Sequence, residues 1–145
     1  MPKIKETVPV AKQPDELLKE IGSFTAVARW HPMLANVEAQ GETVGSVRTA
    51  ESKDGSKQVE RLLELVPYQR FYIYGIVSTP MPVSDYIAEF SVEDPGDGSS
   101  TVVWSCEFET TPDDDGKVVE TIRNFLKVGL ENLQAMYPQA SAAFG

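Results

Sequence analysis

The chain has 145 residues, 41% of them hydrophobic, and its 13 basic side chains stand against 22 acidic ones for a formal net charge of −9. This length suits one globular domain, which can bury a core without a disulfide or a structural metal. A single cysteine and a single histidine exclude an internal disulfide and any metal site built on several such ligands. The acidic balance argues against a nucleic-acid partner, because phosphate binding needs a concentrated positive surface. We therefore expect one domain over residues 1–145, with no metal and no cofactor.

The negative charge is concentrated in one part of the chain. Residues 89–115 hold nine acidic side chains and no basic one. Solvated turns and one sheet face explain this run most simply, and a docking surface for a basic protein partner is the alternative. No apolar run reaches the length of about 18 residues that spans a membrane. The first residues also lack the apolar stretch of a signal peptide, so we expect a cytoplasmic protein.

The first third of the chain predicts a strand followed by two short helices. Apolar and polar residues alternate over 4–10, as in a half-buried strand. A helix is expected from Pro14, which suits a first turn, to Gly22, which is a natural stop. A second helical segment covers 24–29 and is closed by Pro32.

The remainder predicts an antiparallel meander and then one long helix. Short alternating runs separated by turn residues place strands near 37–43, 45–52, 58–65, 69–78, 84–93 and 100–109. Apolar residues then recur at steps of three and four, which predicts an amphipathic helix over 115–137. Asp113, Asp114 and Asp115 are expected to cap its start.

Six short segments of the chain carry a resemblance to a known family. They are FTAVARWHP at 24–32, GSVR at 45–48, DG at 54–55, ERLLE at 60–64, VSDY at 83–86 and TVVW at 101–104. With this element order the chain resembles the START/Bet v 1-like (SRPBCC) superfamily over residues 3–138, and more narrowly a polyketide cyclase/dehydrase-type member. The resemblance implies an α+β helix-grip fold, in which a long curved antiparallel sheet wraps around the C-terminal helix and leaves a cavity for an apolar ligand. Members include cyclases, lipid carriers and hormone receptors, so the fold alone decides no chemistry.

A more distant resemblance to the plant abscisic-acid receptors indicates which side chains face that cavity. By position these are Glu60, Tyr74, Ile76, Tyr86, Ala88, Phe125 and Gly129. The two gating loops of those receptors correspond to residues 51–57 and 79–83. Neither loop carries the receptors' signature residues, so hormone binding is not implied.

Strand periodicity adds further candidates. Tyr72, Tyr74 and Ile76 share one face of their strand, and a buried tyrosine hydroxyl can bind a ligand carbonyl or hydroxyl. On strand 100–109, the hydrophobic pattern turns Trp104 and Phe108 inward, whereas the receptor alignment turns the opposite face inward. We follow the hydrophobic pattern, because exposing two large aromatic side chains forgoes about 1.5–3 kcal/mol for each. Phe71 and Ile73, on the outer face, suggest a covered surface and a homodimer.

Two residues are candidates for acid–base chemistry. Burial of Glu60 in an apolar cavity would raise its pKa, and Arg48 on the neighbouring strand could pair with it or hold an acidic ligand. The alternative for this pair is a salt bridge at the cavity rim. His31 could act as a base at the cavity mouth, or it could serve a structural role in its Trp-His-Pro corner. Gly129 indicates close helix packing or room for a ligand.

Three functions remain open. The first is binding of a small hydrophobic ligand, which would be aromatic, polyketide-like or lipid-like. The second is a cofactor-free polyketide cyclase or dehydratase that uses Glu60 or His31 as acid or base. The third is an acidic module that binds a basic protein. The expected ligand-binding residues are Trp30, Arg48, Tyr72, Tyr74, Ile76, Tyr86, Ala88, Trp104, Phe125 and Gly129.

Overall fold

The computed structural model describes residues 2–112 and 116–138. In chain order its elements are β1 (Lys3–Val10), α1 (Pro14–Ile21), α2 (Val27–Trp30), β2 (Leu34–Ala39), β3 (Val47–Ser52), β4 (Lys57–Val66), β5 (Phe71–Ser78), β6 (Val83–Glu93), β7 (Ser100–Thr110) and α3 (Lys117–Ala135). A single 3-10 turn, Pro67–Gln69, joins β4 to β5.

The strands form one antiparallel sheet in the order β1-β7-β6-β5-β4-β3-β2. The chain therefore runs as a meander from β2 to β7, and β1 closes the far edge against β7. Helix α3 packs against β1, β7 and α2, and its buried side includes Ile122, Leu126 and Leu133. This is the expected α+β helix-grip arrangement, with two short helices after the first strand.

Local signals explain where the two short helices begin and end. Before α1, the Gln13 side chain accepts a hydrogen bond from the backbone N–H of Glu16 at 2.9 Å. Gly22 is the C-cap of α1, as predicted. The second helix starts three residues later than predicted, at Val27. The carbonyl of Phe24, which would accept an intrahelical hydrogen bond in a longer helix, accepts one from Arg48 Nη1.

Predicted boundaries also move at three places in the chain, because residues with positive φ interrupt the regular backbone there. Gly41 and Gly45 have φ of 130° and 96°, so residues 41–46 form a loop between β2 and β3. Arg70 has a φ of 58°, and β5 begins after it, at Phe71. Gly116, with a φ of 93°, precedes α3. The predicted caps Asp113, Asp114 and Asp115 lie outside the described residues.

The inner face of β7 follows the hydrophobic pattern. Trp104 and Phe108 are buried on the core side, together with Val102 and Cys106. The opposite alternative, with Ser105 and Glu107 inward, is not observed, because it would expose both large aromatic side chains.

On the outer side of the sheet, the predicted pair Phe71 and Ile73 is half-buried. Leu63 and Ile87 are more exposed, at 43% each. A homodimer through this face stays a prediction. Among the described residues, no helix combines the length and the apolar character needed to cross a membrane.

Candidate ligand-binding cavity

A cavity of about 900 Å³ lies between the sheet and the first half of α3. Strands β3 to β7 supply its wall on one side, and α3 supplies the other. Two loops border its opening, and they include Asp54 and Ser56 from the first and residues 79–82 from the second. These loops fall at the positions that the receptor resemblance assigned to gating segments.

Most of the cavity wall is hydrophobic or aromatic. Tyr74, Tyr86 and Trp104 project from neighbouring strands of the sheet, and Ile122 and Phe125 face them from α3. Trp104 Nε1 donates a hydrogen bond to the Tyr74 hydroxyl at 3.0 Å, which leaves the Tyr74 proton free to turn toward another acceptor. An apolar wall with a few oriented polar groups is typical of a small-molecule site.

Both tyrosines of the wall keep their hydroxyl protons at physiological pH. Burial raises the pKa of Tyr74 and of Tyr86 well above the ordinary value, because the charged form would lose its hydration. Burial likewise raises the pKa of the Cys106 thiol. These groups can therefore offer neutral hydrogen bonds to a ligand, and the thiol stays protonated.

The polar end of the cavity is an ion pair between adjacent strands. Arg48 on β3 is directly opposite Glu60 on β4, and Arg48 Nε donates to Glu60 Oε1 at 2.6 Å. The two side chains are 1% and 7% exposed, so the pair lies inside the cavity and not at its rim. The alternative of a rim salt bridge is thus corrected by the structure, because the register of β3 and β4 directs both side chains inward.

Arg48 is held from several sides. Its Nη1 donates to the carbonyl of Phe24 and to the Tyr72 hydroxyl, the latter at 3.4 Å. The guanidinium carbon lies 4.2 Å from the Phe24 ring centroid and 4.5 Å from that of Tyr74. Burial alone would lower the pKa of Arg48, but the charge of Glu60 and the interactions with Tyr72 and Tyr74 together outweigh burial and raise it. Arg48 is therefore a permanent, immobilised cation.

A chain of hydrogen bonds connects this ion pair to the cavity mouth. Gln58 donates to Glu60 Oε2, and its own carbonyl oxygen accepts from the Thr79 hydroxyl at 2.9 Å. Thr79 Oγ1 accepts from the backbone N–H of Met81 at 3.2 Å. Both oxygens of Glu60 are thus hydrogen-bonded, and the segment 79–82 is tied to the interior.

The structure brings six of the twelve predicted site residues to the cavity surface. These are Arg48, Glu60, Tyr74, Tyr86, Trp104 and Phe125. The others do not line this cavity, and they pack behind it or beside it: Trp30, His31, Tyr72, Ile76, Ala88 and Gly129.

His31 is not at the cavity mouth. It is 1% exposed, its ring stacks on Phe125 with centroids 3.9 Å apart, and its Nε2 donates to the Phe125 carbonyl at 2.7 Å. Its Nδ1 accepts from the backbone N–H of Met33 at 3.2 Å. Burial lowers the pKa of His31 from 6.5 to about 4. These contacts describe a neutral histidine that joins the α2 corner to α3.

Gly129 provides the close packing that this corner needs. A Cβ atom at position 129 would lie 2.4 Å from His31 Cδ2 and 3.1 Å from Trp30 Cζ3. Of the two roles predicted for Gly129, the structure shows helix packing and not ligand room. Trp30 stacks on Phe90 at 5.3 Å between centroids and meets the edge of Trp104, so it supports the cavity wall from behind.

The remaining three residues also occupy supporting positions. Tyr72 borders a second, smaller cavity of about 240 Å³ and contacts the first through its bond with Arg48. Ile76 is paired with Glu60 at the β4–β5 register, and Ala88 is buried between Tyr74 and Cys106. A side chain on the inner face of a strand does not necessarily line the cavity, because neighbouring side chains lie between it and the cavity.

Sequence reasoning missed several residues of the wall. Gln58 and Thr79, which hold Glu60 and the mouth, had no distinguishing local pattern. Met33 and Met81 also line the cavity, as does the polar side of the first turns of α3. The loop correspondence was the available signal for Thr79 and Met81.

These features define a helix-grip protein with a large, mostly apolar internal cavity. The family model described as polyketide cyclase / dehydrase and lipid transport matches residues 1–137, and the chain belongs to that family. The expected polyketide cyclase-type membership of the SRPBCC superfamily is thereby confirmed. A comparison with curated proteins finds no match.

Solved structures with the same fold include proteins from several bacteria. An uncharacterised protein from Bacillus thuringiensis is 24% identical, with a TM-score of 0.85 over 94% of this chain and 98% of that one. A protein from Thermobifida fusca is 28% identical, with a TM-score of 0.82 over 92% and 91%. The Zhui aromatase/cyclase from Streptomyces sp. R1128 is 18% identical, with a TM-score of 0.79 over 93% and 92%.

Proposed function

We propose that this protein binds a small hydrophobic ligand, which is aromatic, polyketide-like or lipid-like, in the cavity between the sheet and α3. The observation that carries the proposal is the cavity itself, whose volume of about 900 Å³ lies at the upper end of the usual range for small-molecule sites. The wall of Tyr86, Trp104 and Phe125 supplies apolar area, while Tyr74 and Arg48 supply polar groups at one end.

Ligand capture can be tested on the purified protein even while the identity of the ligand is open. Native mass spectrometry before and after organic extraction should show a discrete mass that extraction removes. A matched Phe125→Ala variant, which shortens one wall, should lower the occupancy. Leu63→Ala on the outer face is the control and should retain the bound mass. An empty wild-type protein that also fails to bind hydrophobic probes would contradict the proposal.

Cofactor-free cyclase or dehydratase activity is the second candidate. It is favoured by the carboxylate of Glu60 beside Arg48 and the Tyr74 hydroxyl, and by the fold shared with an aromatase/cyclase. In this mechanism Glu60 would move a proton, while Arg48 and Tyr74 would polarise a ligand carbonyl. His31 is left out, because it does not line the cavity.

The two candidates differ in what Glu60 does. For an enzyme, Glu60→Gln should abolish turnover of a bound polyketide-like substrate while affinity for an uncharged ligand stays within a few fold. For a binding protein, no conversion of the bound molecule should occur in either form. Mass analysis of the ligand after incubation distinguishes these outcomes.

A further inference from the structure

The charged side chains that line the cavity fall into two groups. Arg48 and Glu60 are buried at the inner end, where they are 1% and 5% exposed as residues. Asp54, Lys117 and Glu120 also line the cavity but are exposed to solvent. Among the described lining residues, the acidic groups outnumber the basic ones by three to two. Only the buried pair is poorly screened by water, so the buried pair dominates the electrostatics met by a bound ligand.

Glu60 cancels the one buried cation among the described residues of this cavity. Its Oε1 lies 2.6 Å from Arg48 Nε, and its Oε2 is held in place by Gln58, which is itself anchored to Thr79. The guanidinium is further immobilised by the Phe24 carbonyl and the adjacent aromatic rings. Arg48 therefore cannot swing away from Glu60 toward a ligand without breaking several contacts.

We propose that Glu60 is a specificity-determining residue, which makes the cavity select uncharged ligands over anionic ones by neutralising Arg48. The inference rests on the proposed ligand-binding function and adds the charge class of the ligand. A carboxylate, sulfonate or phosphate at the inner end would lose its hydration and meet a cation that is already paired. It would also lie close to the carboxylate of Glu60. Rejection of one ligand class by such repulsion is an established route to specificity.

The charge preference can be measured with two probes that differ in charge and hardly in size. The first is 8-anilinonaphthalene-1-sulfonate, and the second is its uncharged primary sulfonamide. Isothermal titration calorimetry at pH 7 should show the sulfonamide binding the wild-type protein at least about tenfold more tightly. Equal affinities, or tighter binding of the sulfonate, would overturn the inference. If neither probe binds, the ligand-binding function itself has failed.

A variant then tests whether Glu60 is the cause of the preference. Glu60→Gln keeps the size of the side chain and leaves Arg48 without its counter-charge. The sulfonate should then bind at least as tightly as the sulfonamide, and it should raise the melting temperature of this variant more than that of the wild type. Glu64→Gln, an exposed position on the same strand, is the matched control and should keep the wild-type preference.

A double variant separates charge from mere loosening of the cavity. Arg48→Gln combined with Glu60→Gln removes both charges, so the sulfonate should bind weakly again. Strong sulfonate binding by the double variant would show that the cavity had only become more open, and the inference would fail. Should Glu60→Gln not fold, the comparison of the two probes on the wild-type protein still decides whether the cavity selects uncharged ligands.

Discussion

A side chain at position 129 would force its neighbours to move, because the Cδ2 atom of His31 lies only 2.4 Å from the place of its Cβ. Helix α3 thus packs closely against the α2 corner, with His31 and Trp30 next to the Gly129 backbone. The contact joins His31, which precedes the meander in the chain, to Gly129, which follows it. It also places Phe125, one turn earlier on α3, over the His31 ring. The position of the α3 wall of the cavity depends on this packing.

Gly129→Ala should destabilise the protein although alanine favours helix. The gain in helix propensity is about 1 kcal/mol, whereas overpacking of a buried position costs about 1–3 kcal/mol. His31 and Trp30 are both buried and have little room to move. We expect a net loss of up to about 2 kcal/mol in the free energy of unfolding, measured with urea. Lys127→Ala, exposed on the same helix, is the control. A variant more stable than the wild type would show that His31 and Trp30 can move to make room for the methyl group.

Stability should fall as the pH is lowered from about 6.5 to about 4, because His31 is neutral in the folded protein. Its pKa is lowered from 6.5 to about 4 on folding, so within this window the unfolded chain binds a proton that the folded one does not. Stability is therefore fully present above pH 6.5. The loss should reach about 2 kcal/mol by pH 5 and roughly 3 kcal/mol in total.

Urea unfolding at a series of pH values measures this dependence. The interval between pH 7 and pH 5 is the informative one, because most unfolded carboxylates titrate below it. His31→Gln, which lacks a titrating ring, should show a flatter profile over that interval. An unchanged slope in the variant would mean that another group is responsible.

Breaking the buried ion pair should cost far more stability than removing it. Arg48→Met leaves the carboxylate of Glu60 buried without its counter-charge, and we expect a loss of about 3–5 kcal/mol. Adding Glu60→Leu should recover a large part of that loss, because no uncompensated charge remains. A double-mutant cycle from thermal or urea unfolding gives the coupling between the two side chains. Additive losses would indicate that the pair contributes little beyond its separate contacts.

Thr79→Val should loosen the cavity mouth. The hydroxyl of Thr79 donates to Gln58 and accepts from Met81 N–H, so its loss removes the link from the segment 79–82 through Gln58 to Glu60 and one hydrogen bond within the segment. We expect faster amide hydrogen exchange in that segment and a loss of about 1 kcal/mol in stability. Thr7→Val on the edge strand β1 is the control. Unchanged exchange at 79–82 would show that the mouth is held by other contacts.

The element order and the inner face of β7 could be predicted from the sequence, because burial leaves a local period in the chain. Trp104 and Phe108 alternate with polar neighbours, and this pattern alone selected the correct face. The same local reasoning placed Gly22 at the end of α1. The pairing of Arg48 with Glu60 was also accessible, because both lie on adjacent strands of a meander.

The tertiary structure alone decided which inward residues reach the cavity. His31 donates a hydrogen bond to the carbonyl of Phe125, 94 positions away in the sequence. Gln58 accepts one from the hydroxyl of Thr79, 21 positions away. Contacts between residues so far apart leave no periodic pattern in the sequence. They depend on how closely α3 and the mouth loops approach the sheet, which is set by packing among distant side chains. The sequence thus determined the fold and the polar pair, while long-range packing determined the shape of the site around them.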